Sequence, residues 1–162
     1  MGINVSVVTI SWKPGYVDSL AQALRDQTLP KDQWEWLFVD DLHEIRHKQV
    51  ANYIKNDFNF KHIPPREIKT YSATASAINT ALEHCTGELV YFMADYMYPH
   101  PICLARHWEI YRVFGPKMFI SGPLVDNITL NNKSVWFGTM PENVQVRVGD
   151  KLITYPEHLP PI

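Results

Sequence analysis

The stretch I-N-V-S-V-V-T-I-S-W-K-P, residues 3–14, decides the fold because it places a strand at the start of the chain and a break directly behind it. Residues 3–10 are rich in β-branched side chains, which are typical of strands. Pro14 and Gly15 end this strand. Apolar residues then recur at the spacing of an amphipathic helix, at Val17, Leu20, Ala21 and Leu24. The sequence therefore predicts a strand followed by a helix.

The same alternation continues along the chain. The apolar run W-E-W-L-F-V at residues 34–39 predicts a second strand, and a weaker helical pattern follows over 42–58. Further strands are predicted over 67–71 and 89–93. Two more helices are predicted from apolar positions on one side, Ala75, Ile78, Leu82 and Cys85 in a helix capped by Thr74, and Leu104, Trp108 and Tyr111 in the last.

The pattern changes near residue 115 to short strands separated by loops. These strands are predicted over 118–121, 134–137, 144–148 and 152–155. Because strands that alternate with helices form parallel sheets, we expect an α/β fold. The 162 residues are enough for one domain, with a mostly parallel sheet in 1–115 and a small, partly antiparallel region in 116–162.

The composition excludes several classes of protein. A content of 46% hydrophobic residues excludes a disordered chain. The net charge of −2 argues against a strongly basic surface that would bind nucleic acid or an anionic membrane. The longest apolar run, residues 89–94, is far shorter than the roughly 18–20 residues of a membrane span. Cys85 and Cys103 are expected to be buried free thiols in a reducing compartment. With no N-terminal signal pattern, the chain is predicted to be cytoplasmic.

Ligands of parallel sheets bind beyond the carboxyl ends of the strands. Three such ends carry polar or aromatic residues, namely Ser11-Trp12-Lys13, Asp40-Asp41 and Ala94-Asp95-Tyr96. Trp12 could stack on a planar base or pack on the first helix. A carboxylate at Asp40 or Asp41 could accept a hydrogen bond from a base or ribose, or cap the next helix. Asp95 could hold Mg²⁺ or Mn²⁺ against phosphates, or serve as a turn residue.

A separate motif, H-E-I-R-H at residues 43–47, matches the zinc metalloprotease pattern H-E-x-x-H. Two histidines at this spacing share one helix face, and Glu44 between them would activate water. The third ligand would have to be Glu67, which follows Pro64-Pro65 in a strand-like segment rather than on a second helix. A solvated polar helix face is therefore favoured, and a zinc protease is kept as an alternative.

Three stretches carry a family resemblance when they are taken together, in their order and spacing. They are V-S-V-V-T-I-S-W-K-P at 5–14, W-L-F-V-D-D at 36–41, and S-A-T-A-S-A-I-N-T-A-L-E-H-C-T-G-E-L-V-Y-F-M-A-D-Y-M-Y-P-H-P at 72–101. As a set they resemble the successive motifs of GT-A nucleotide-sugar glycosyltransferases, and those of family 2 most closely. The resemblance covers about residues 3–112.

The resemblance implies a GT-A-like fold and the transfer of a sugar from a nucleoside diphosphate donor, expected to be a UDP-sugar, to a hydroxyl acceptor. It assigns Ser11 and Trp12 to the nucleoside and Asp40 to the base, with Asp41 beside it. Asp95 stands at the place of the D-x-D motif.

The resemblance also implies a cofactor, Mn²⁺ or Mg²⁺, held by Asp95. The late pair Glu157-His158 offers His158 as a candidate second ligand. The alternative is a metal-independent site in which Lys13 or an arginine neutralises the diphosphate. The resemblance suggests inversion at the sugar, with retention left open, and inversion needs a general base near the acceptor hydroxyl. The late carboxylates are the candidates, Asp126, Glu142 and Glu157. Because Ala94 and Tyr96 replace the outer carboxylates of D-x-D, a nucleotide- or glycan-binding module without turnover remains a second interpretation.

Overall fold

The computed structural model describes residues 2–14, 17–66, 73–121, 127–130, 133–136, 143–148 and 151–156. The chain divides into two compact units, Met1–Trp108 and Glu109–Ile162. The expectation of one domain with a change of character near residue 115 stays a prediction.

The first unit is built from strands that alternate with helices, as the sequence predicts. A four-stranded parallel sheet has the order β3-β2-β1-β4, with the first strand of the chain in the interior. A short 3₁₀ helix, Lys31–Gln33, leads into the second strand. The other elements are β1 (Val5–Ser11), α1 (Val17–Arg25), β2 (Trp34–Asp40), α2 (His43–Ile54), β3 (Asn59–Ile63), α3 (Ala73–His84), β4 (Leu89–Phe92) and α4 (Cys103–Phe114).

One face of the sheet carries the larger core, which packs against α1, α2 and the start of α4. Trp34, Trp36 and Phe38 alternate along β2 on this face and are all fully buried. The Trp36 indole donates a hydrogen bond of 3.0 Å to the Thr9 hydroxyl, so its polar atom is satisfied inside the core. The helices complete this core with Leu20, Leu24, Val50, Ile54 and Leu104.

The opposite face of the sheet packs against α3. Ala77 and Ala81 contact a small cluster that includes Val8, Leu37 and Val39. The predicted apolar side of α3 is wrong at two positions, since Ala75 is exposed and Leu82 is 45% exposed, whereas Cys85 packs against this cluster. Small side chains let the helix approach the sheet closely. The prediction followed the apolar residues of the helix, which do not all lie on the side that faces the sheet. The buried side of α3 is Ser76, Ala77, Thr80 and Ala81.

Two further differences separate the structure from the prediction. The second helix ends at Ile54 rather than near residue 58, because Lys55 adopts a left-handed conformation with φ 53° and its N–H bonds to the Ala51 carbonyl. The strand β3 follows at residues 59–63, where no strand was predicted. The strand predicted over 67–71 lies outside the described residues.

The second unit contains antiparallel strands, as expected for the C-terminal region. A three-stranded sheet has the order β5-β8-β9, and β6 pairs with β7 in a separate hairpin. The strands are β5 (Met118–Ser121), β6 (Asn127–Leu130), β7 (Lys133–Trp136), β8 (Asn143–Val148) and β9 (Lys151–Pro156). Strand β6 was not predicted.

Within the described part of the chain, no helix has the length and apolar character needed to cross a membrane. The predicted cytoplasmic location stays a prediction.

A buried carboxylate joins β1, β2 and β3 at the amino end of the sheet. Glu35 is fully buried and accepts hydrogen bonds from the Ser6 hydroxyl at 2.7 Å and from the Lys61 ammonium at 2.8 Å. The backbone N–H of Thr86 donates to the same carboxylate at 2.6 Å. Burial alone would raise the pKa of Glu35, but these hydrogen bonds outweigh it and hold the pKa below its ordinary value.

Replacing Glu35 by glutamine should lower the free energy of unfolding at neutral pH by roughly 1–3 kcal/mol, because the buried donors lose a charged acceptor. A lowered pKa in the folded state means that the charge stabilises the protein above the ordinary pKa of 4.5 and that this contribution is lost as the pH falls below it. Urea denaturation of both proteins across this pH range measures the effect. The difference between them should shrink below pH 4.5.

Glu44→Gln is the matched control, because the Glu44 side chain is 88% exposed and pairs only with His43 Nδ1 at 3.5 Å, so its substitution should change the free energy of unfolding by less than about 1 kcal/mol. A Glu35→Gln deficit that keeps its full size well below pH 4.5 would contradict the assignment.

Candidate functional site

The carboxyl ends of β1, β2 and β4 bring three predicted site residues together. Ser11 and Asp40 are partners in the parallel register of β1 and β2. Asp95 follows the end of β4, and its Oδ2 accepts a hydrogen bond of 2.9 Å from the Ser11 hydroxyl. The prediction that these strand ends converge on one edge of the sheet is confirmed.

Asp40 is fully buried beneath this edge, and both of its carboxylate oxygens are engaged. Oδ1 accepts hydrogen bonds from the Leu42 backbone N–H at 2.9 Å and from Arg46 Nη2 at 2.7 Å. Oδ2 accepts from Arg46 Nε at 2.7 Å and from His62 Nε2 at 2.8 Å. A base N–H could reach this carboxylate only by replacing one of these donors, so the predicted base contact of Asp40 stays a prediction.

The charge of Asp40 is stabilised in place. Burial by itself would raise the pKa of Asp40, but hydrogen bonds from His62, Arg46 and the Leu42 N–H, together with the charge of Arg46, lower it to about 2. The carboxylate is therefore ionised at neutral pH. With Asp40 ionised, Nε2 of His62 carries the hydrogen that it donates.

Arg46 is the most connected side chain of the site. Its guanidinium binds Asp40 through two nitrogens, while Nη1 donates to the Lys13 carbonyl at 2.8 Å and Nη2 donates to the Ser11 hydroxyl at 2.9 Å. The guanidinium carbon also lies 5.3 Å from the Phe38 ring centroid. The helix α2 presents Arg46 from its buried stripe, which continues one turn apart at Val50 and Ile54.

Exposed residues surround this buried cluster. Trp12 follows β1 and is 64% exposed, and Tyr96 follows β4 and is 61% exposed. The Lys13 ammonium lies 4.7 Å from the centre of the Trp12 ring. Asp41 is exposed, and its backbone N–H donates to the Ser11 carbonyl at 3.0 Å. The predicted site thus separates into buried polar residues, Ser11, Asp40 and Asp95, and accessible ones, Trp12 and Asp41.

The segment that follows Asp95 is anchored by Gln27, a buried residue just after the end of α1. Gln27 donates from Nε2 to the carbonyls of Ala23 and His100, at 3.1 and 3.0 Å. Its Oε1 accepts from the Leu104 N–H at 3.1 Å, which satisfies a donor in the first turn of α4. The loop between β4 and α4 is therefore fixed against α1.

Asp95 offers a hard oxygen ligand of the kind that Mg²⁺ and Mn²⁺ prefer, and one protein carboxylate fits an ion whose other ligands are phosphate and water. Ala94 and Tyr96 beside it supply no further carboxylate. Among the described residues, no group of three or more histidine, cysteine, aspartate or glutamate side chains could hold a metal ion by itself. A cation at Asp95 would therefore take its other ligands from outside the described residues.

The two histidines of the H-E-I-R-H motif do share one face of α2, but the zinc site kept as an alternative does not form among the described residues. The rings of His43 and His47 are stacked with centroids 5.7 Å apart, and His43 meets His62 edge-on at 4.5 Å. His62 is turned toward Asp40. Glu67, the third ligand considered, lies outside the described residues.

Two residues of the site were missed by sequence reasoning. Arg46 was treated only as a variable position of H-E-I-R-H. The series Arg46, Val50 and Ile54 has a step of four residues, and this spacing was a signal that Arg46 faces inward with the two apolar residues. His62 lies on β3, which was not predicted. Four predicted site residues lie outside the described residues, namely Asp126, Glu142, Glu157 and His158.

Comparison with known proteins identifies the fold and the family of this chain. The protein CgeD of Bacillus subtilis (strain 168) is 29% identical over 116 residues, which is 65% of this chain and 26% of CgeD. Residues 1–349 of S. aureus TarS in complex with UDP-GlcNAc match with a TM-score of 0.61 and 21% identity, over 82% of this chain and 37% of that one. The complex of the same TarS residues with UDP gives a TM-score of 0.62 and 22% identity, over 82% and 38%.

This chain therefore spans about a quarter of the length of CgeD and less than two-fifths of the TarS chains. At these identities the TarS structures establish the fold, and the expected GT-A-like α/β architecture is confirmed. The family follows from the sequence itself, because the model of glycosyl transferase family 2 matches residues 7–136, which is most of the chain. The chain belongs to glycosyl transferase family 2.

Proposed function

We propose that this chain carries the donor site of a glycosyltransferase that moves a sugar from a nucleoside diphosphate, a UDP-sugar, to a hydroxyl acceptor. The observation that carries the proposal is the convergence of Ser11, Asp40 and Asp95 at the carboxyl edge of the parallel sheet in a family 2 chain. The TarS structures determined with UDP-GlcNAc and with UDP support a uridine nucleotide as the donor.

The nucleoside is proposed to lie against the residues that follow β1 and β2. Trp12 offers an exposed aromatic face for stacking on the base, and Asp41 is an accessible acceptor for a ribose hydroxyl or a base N–H. Ser11 and Asp40 lie beneath them. Asp40 would accept a base N–H only in exchange for one of its present donors, and we therefore assign it mainly to holding the site together.

The diphosphate is proposed to lie between the ends of β1 and β4. Asp95 would hold Mn²⁺ or Mg²⁺, and a cation there would stabilise the negative charge that develops on the leaving diphosphate. Lys13 is exposed on the same edge and could neutralise phosphate charge directly. His158 stays a proposed second ligand of the cation.

The transfer step forms a bond from the acceptor hydroxyl oxygen to the anomeric carbon of the sugar. The bond from that carbon to the diphosphate oxygen breaks, and the nucleoside diphosphate leaves with the electron pair. A carboxylate base removes the hydroxyl proton. The proposed bases are Asp126, Glu142 and Glu157.

A second candidate is a binding module of the same fold that has no turnover. The observation in its favour is the sequence around Asp95, where Ala94 and Tyr96 leave a single carboxylate. Incubation with a panel of nucleotide sugars separates the two candidates. Release of UDP or transfer of the sugar supports the enzyme, whereas donor binding without either supports the module.

Trp12→Ala should weaken the binding of UDP by roughly 5–150-fold, because base stacking on an aromatic side chain contributes about 1–3 kcal/mol. Isothermal titration calorimetry of both proteins with UDP measures the change. Tyr53→Ala is the matched control, since Tyr53 is a partly exposed aromatic residue on α2 outside the site. Equal UDP affinity of the Trp12→Ala and wild-type proteins would contradict the stacking assignment.

Asp95→Asn should reduce the binding of Mn²⁺ in the presence of UDP, because the amide lacks the charge of a cation ligand. A reduction of at least about tenfold is expected for the loss of a direct ligand. Electron paramagnetic resonance of free Mn²⁺ measures it, with Asp32→Asn, an exposed carboxylate in the 3₁₀ helix before β2, as the control. UDP binding that is indifferent both to EDTA and to Asp95→Asn would favour the metal-independent site at Lys13.

A further inference from the structure

We propose that Arg46 is a positioning residue that acts through the Ser11 hydroxyl to fix the carboxylate of Asp95. Arg46 reaches Asp95 by two hydrogen bonds in series, each 2.9 Å long. The consequence for donor binding rests on the proposed function. The connection itself exists in the chain without any ligand, so it is open to a separate test.

The direction of the hydrogen bonds defines how the connection works. A serine hydroxyl has one proton to donate and two lone pairs that accept. Arg46 Nη2 is always a donor, so it occupies an acceptor site of Ser11 Oγ. The Ser11 proton then has two acceptors within reach, Asp95 Oδ2 at 2.9 Å and the Lys13 carbonyl at 3.3 Å. The bond to the Asp95 carboxyl group is the shorter of the two and therefore the stronger one, and it orients that group.

Burial makes this arrangement rigid. Ser11 is 1% exposed and Asp95 is 6% exposed, so little water competes for the hydroxyl or the carboxylate oxygen that it binds. Arg46 is itself anchored because the same guanidinium holds Asp40 through two nitrogens. A planar guanidinium has several N–H donors and can hydrogen-bond to Asp40 and Ser11 at the same time. A lysine ammonium lacks this fixed arrangement of donors.

Asp40 and Asp95 have different roles at the same edge of the sheet. Asp40 neutralises and anchors Arg46, and Asp95 is held by the group that Arg46 orients. Arg46 also binds the Lys13 carbonyl, so the turn that carries Trp12 and Lys13 is tied to the same guanidinium. Substituting Arg46 would therefore loosen the Asp95 carboxylate without removing any atom that meets the donor.

The first experiment tests the connection in the ligand-free protein by urea denaturation. It compares Arg46→Lys, Asp95→Asn and their combination, first with Ser11 intact and then with Ser11→Ala. With Ser11 intact, Arg46→Lys should raise the equilibrium constant for unfolding in the wild-type protein and also in the Asp95→Asn protein. The factor by which it rises should be roughly fivefold smaller in the Asp95→Asn protein. In the Ser11→Ala protein, Arg46→Lys should change the equilibrium constant for unfolding by the same factor whether or not Asp95→Asn is present. Independent effects with Ser11 intact would overturn the proposal.

The second experiment measures Mn²⁺ binding in the presence of UDP by electron paramagnetic resonance. Arg46→Lys and Ser11→Ala should each weaken it by roughly 10–100-fold, and combining them should weaken it little further. Arg25→Lys is the matched control, because Arg25 pairs with Asp57 at 2.6 Å outside the site and its replacement should leave Mn²⁺ binding unchanged. If Arg46→Lys weakened binding equally with and without Asp95→Asn, its role would be purely structural and the proposal would be overturned.

The two experiments also separate this proposal from the proposed function. A wild-type protein that bound neither UDP nor Mn²⁺ would contradict the proposed function. The denaturation cycle would still decide whether Arg46 acts on Asp95 through Ser11, because it contains no ligand.

Discussion

The buried ion pair between Asp40 and Arg46 is the interaction on which the carboxyl edge of the sheet depends. Asp40 ends β2 with no exposed surface, and Arg46 comes from the helix that follows it. Charges removed from water are costly unless each is fully paired, and removing one partner of a buried pair costs roughly 3–5 kcal/mol. The carboxylate is fully paired because His62 and a backbone N–H complete its hydrogen bonds. This requirement fixes the ends of three strands relative to α2.

The same constraint divides the edge into a fixed interior and an accessible surface. Ser11 and Asp95 are buried and hydrogen-bonded to each other, whereas Trp12 and Tyr96 are largely exposed on neighbouring strand ends. Binding sites perform best when the groups that meet the ligand are held by a second layer of contacts. In this chain the second layer is supplied by residues of α2 and β3, which belong to the scaffold rather than to the expected nucleotide motifs.

The sheet and the polar residues at its carboxyl edge could be predicted from the sequence because they depend on local patterns. Apolar runs such as residues 34–39 identify strands, and the rule for parallel sheets then places Ser11, Asp40 and Asp95 together. The partners of Asp40 could not be predicted in the same way, because pairing across β2, α2 and β3 is a tertiary contact that no local pattern encodes. His62 was hidden for a further reason, since the helix was expected to continue past the left-handed residue Lys55. The face of α3 was misjudged because close packing on a sheet selects small residues, Ala77 and Ala81, over large ones.

Arg46 and His62 hold the Asp40 carboxylate ionised inside the protein. The most direct test is an NMR titration of the side-chain carboxyl carbon of Asp40 in the folded wild-type chain. This carbon should show no protonation step near the ordinary pKa of 3.8 and should titrate only toward a pKa of about 2. A midpoint at or above 3.8 would contradict it, since a carboxylate that titrates there gains nothing from its buried partners.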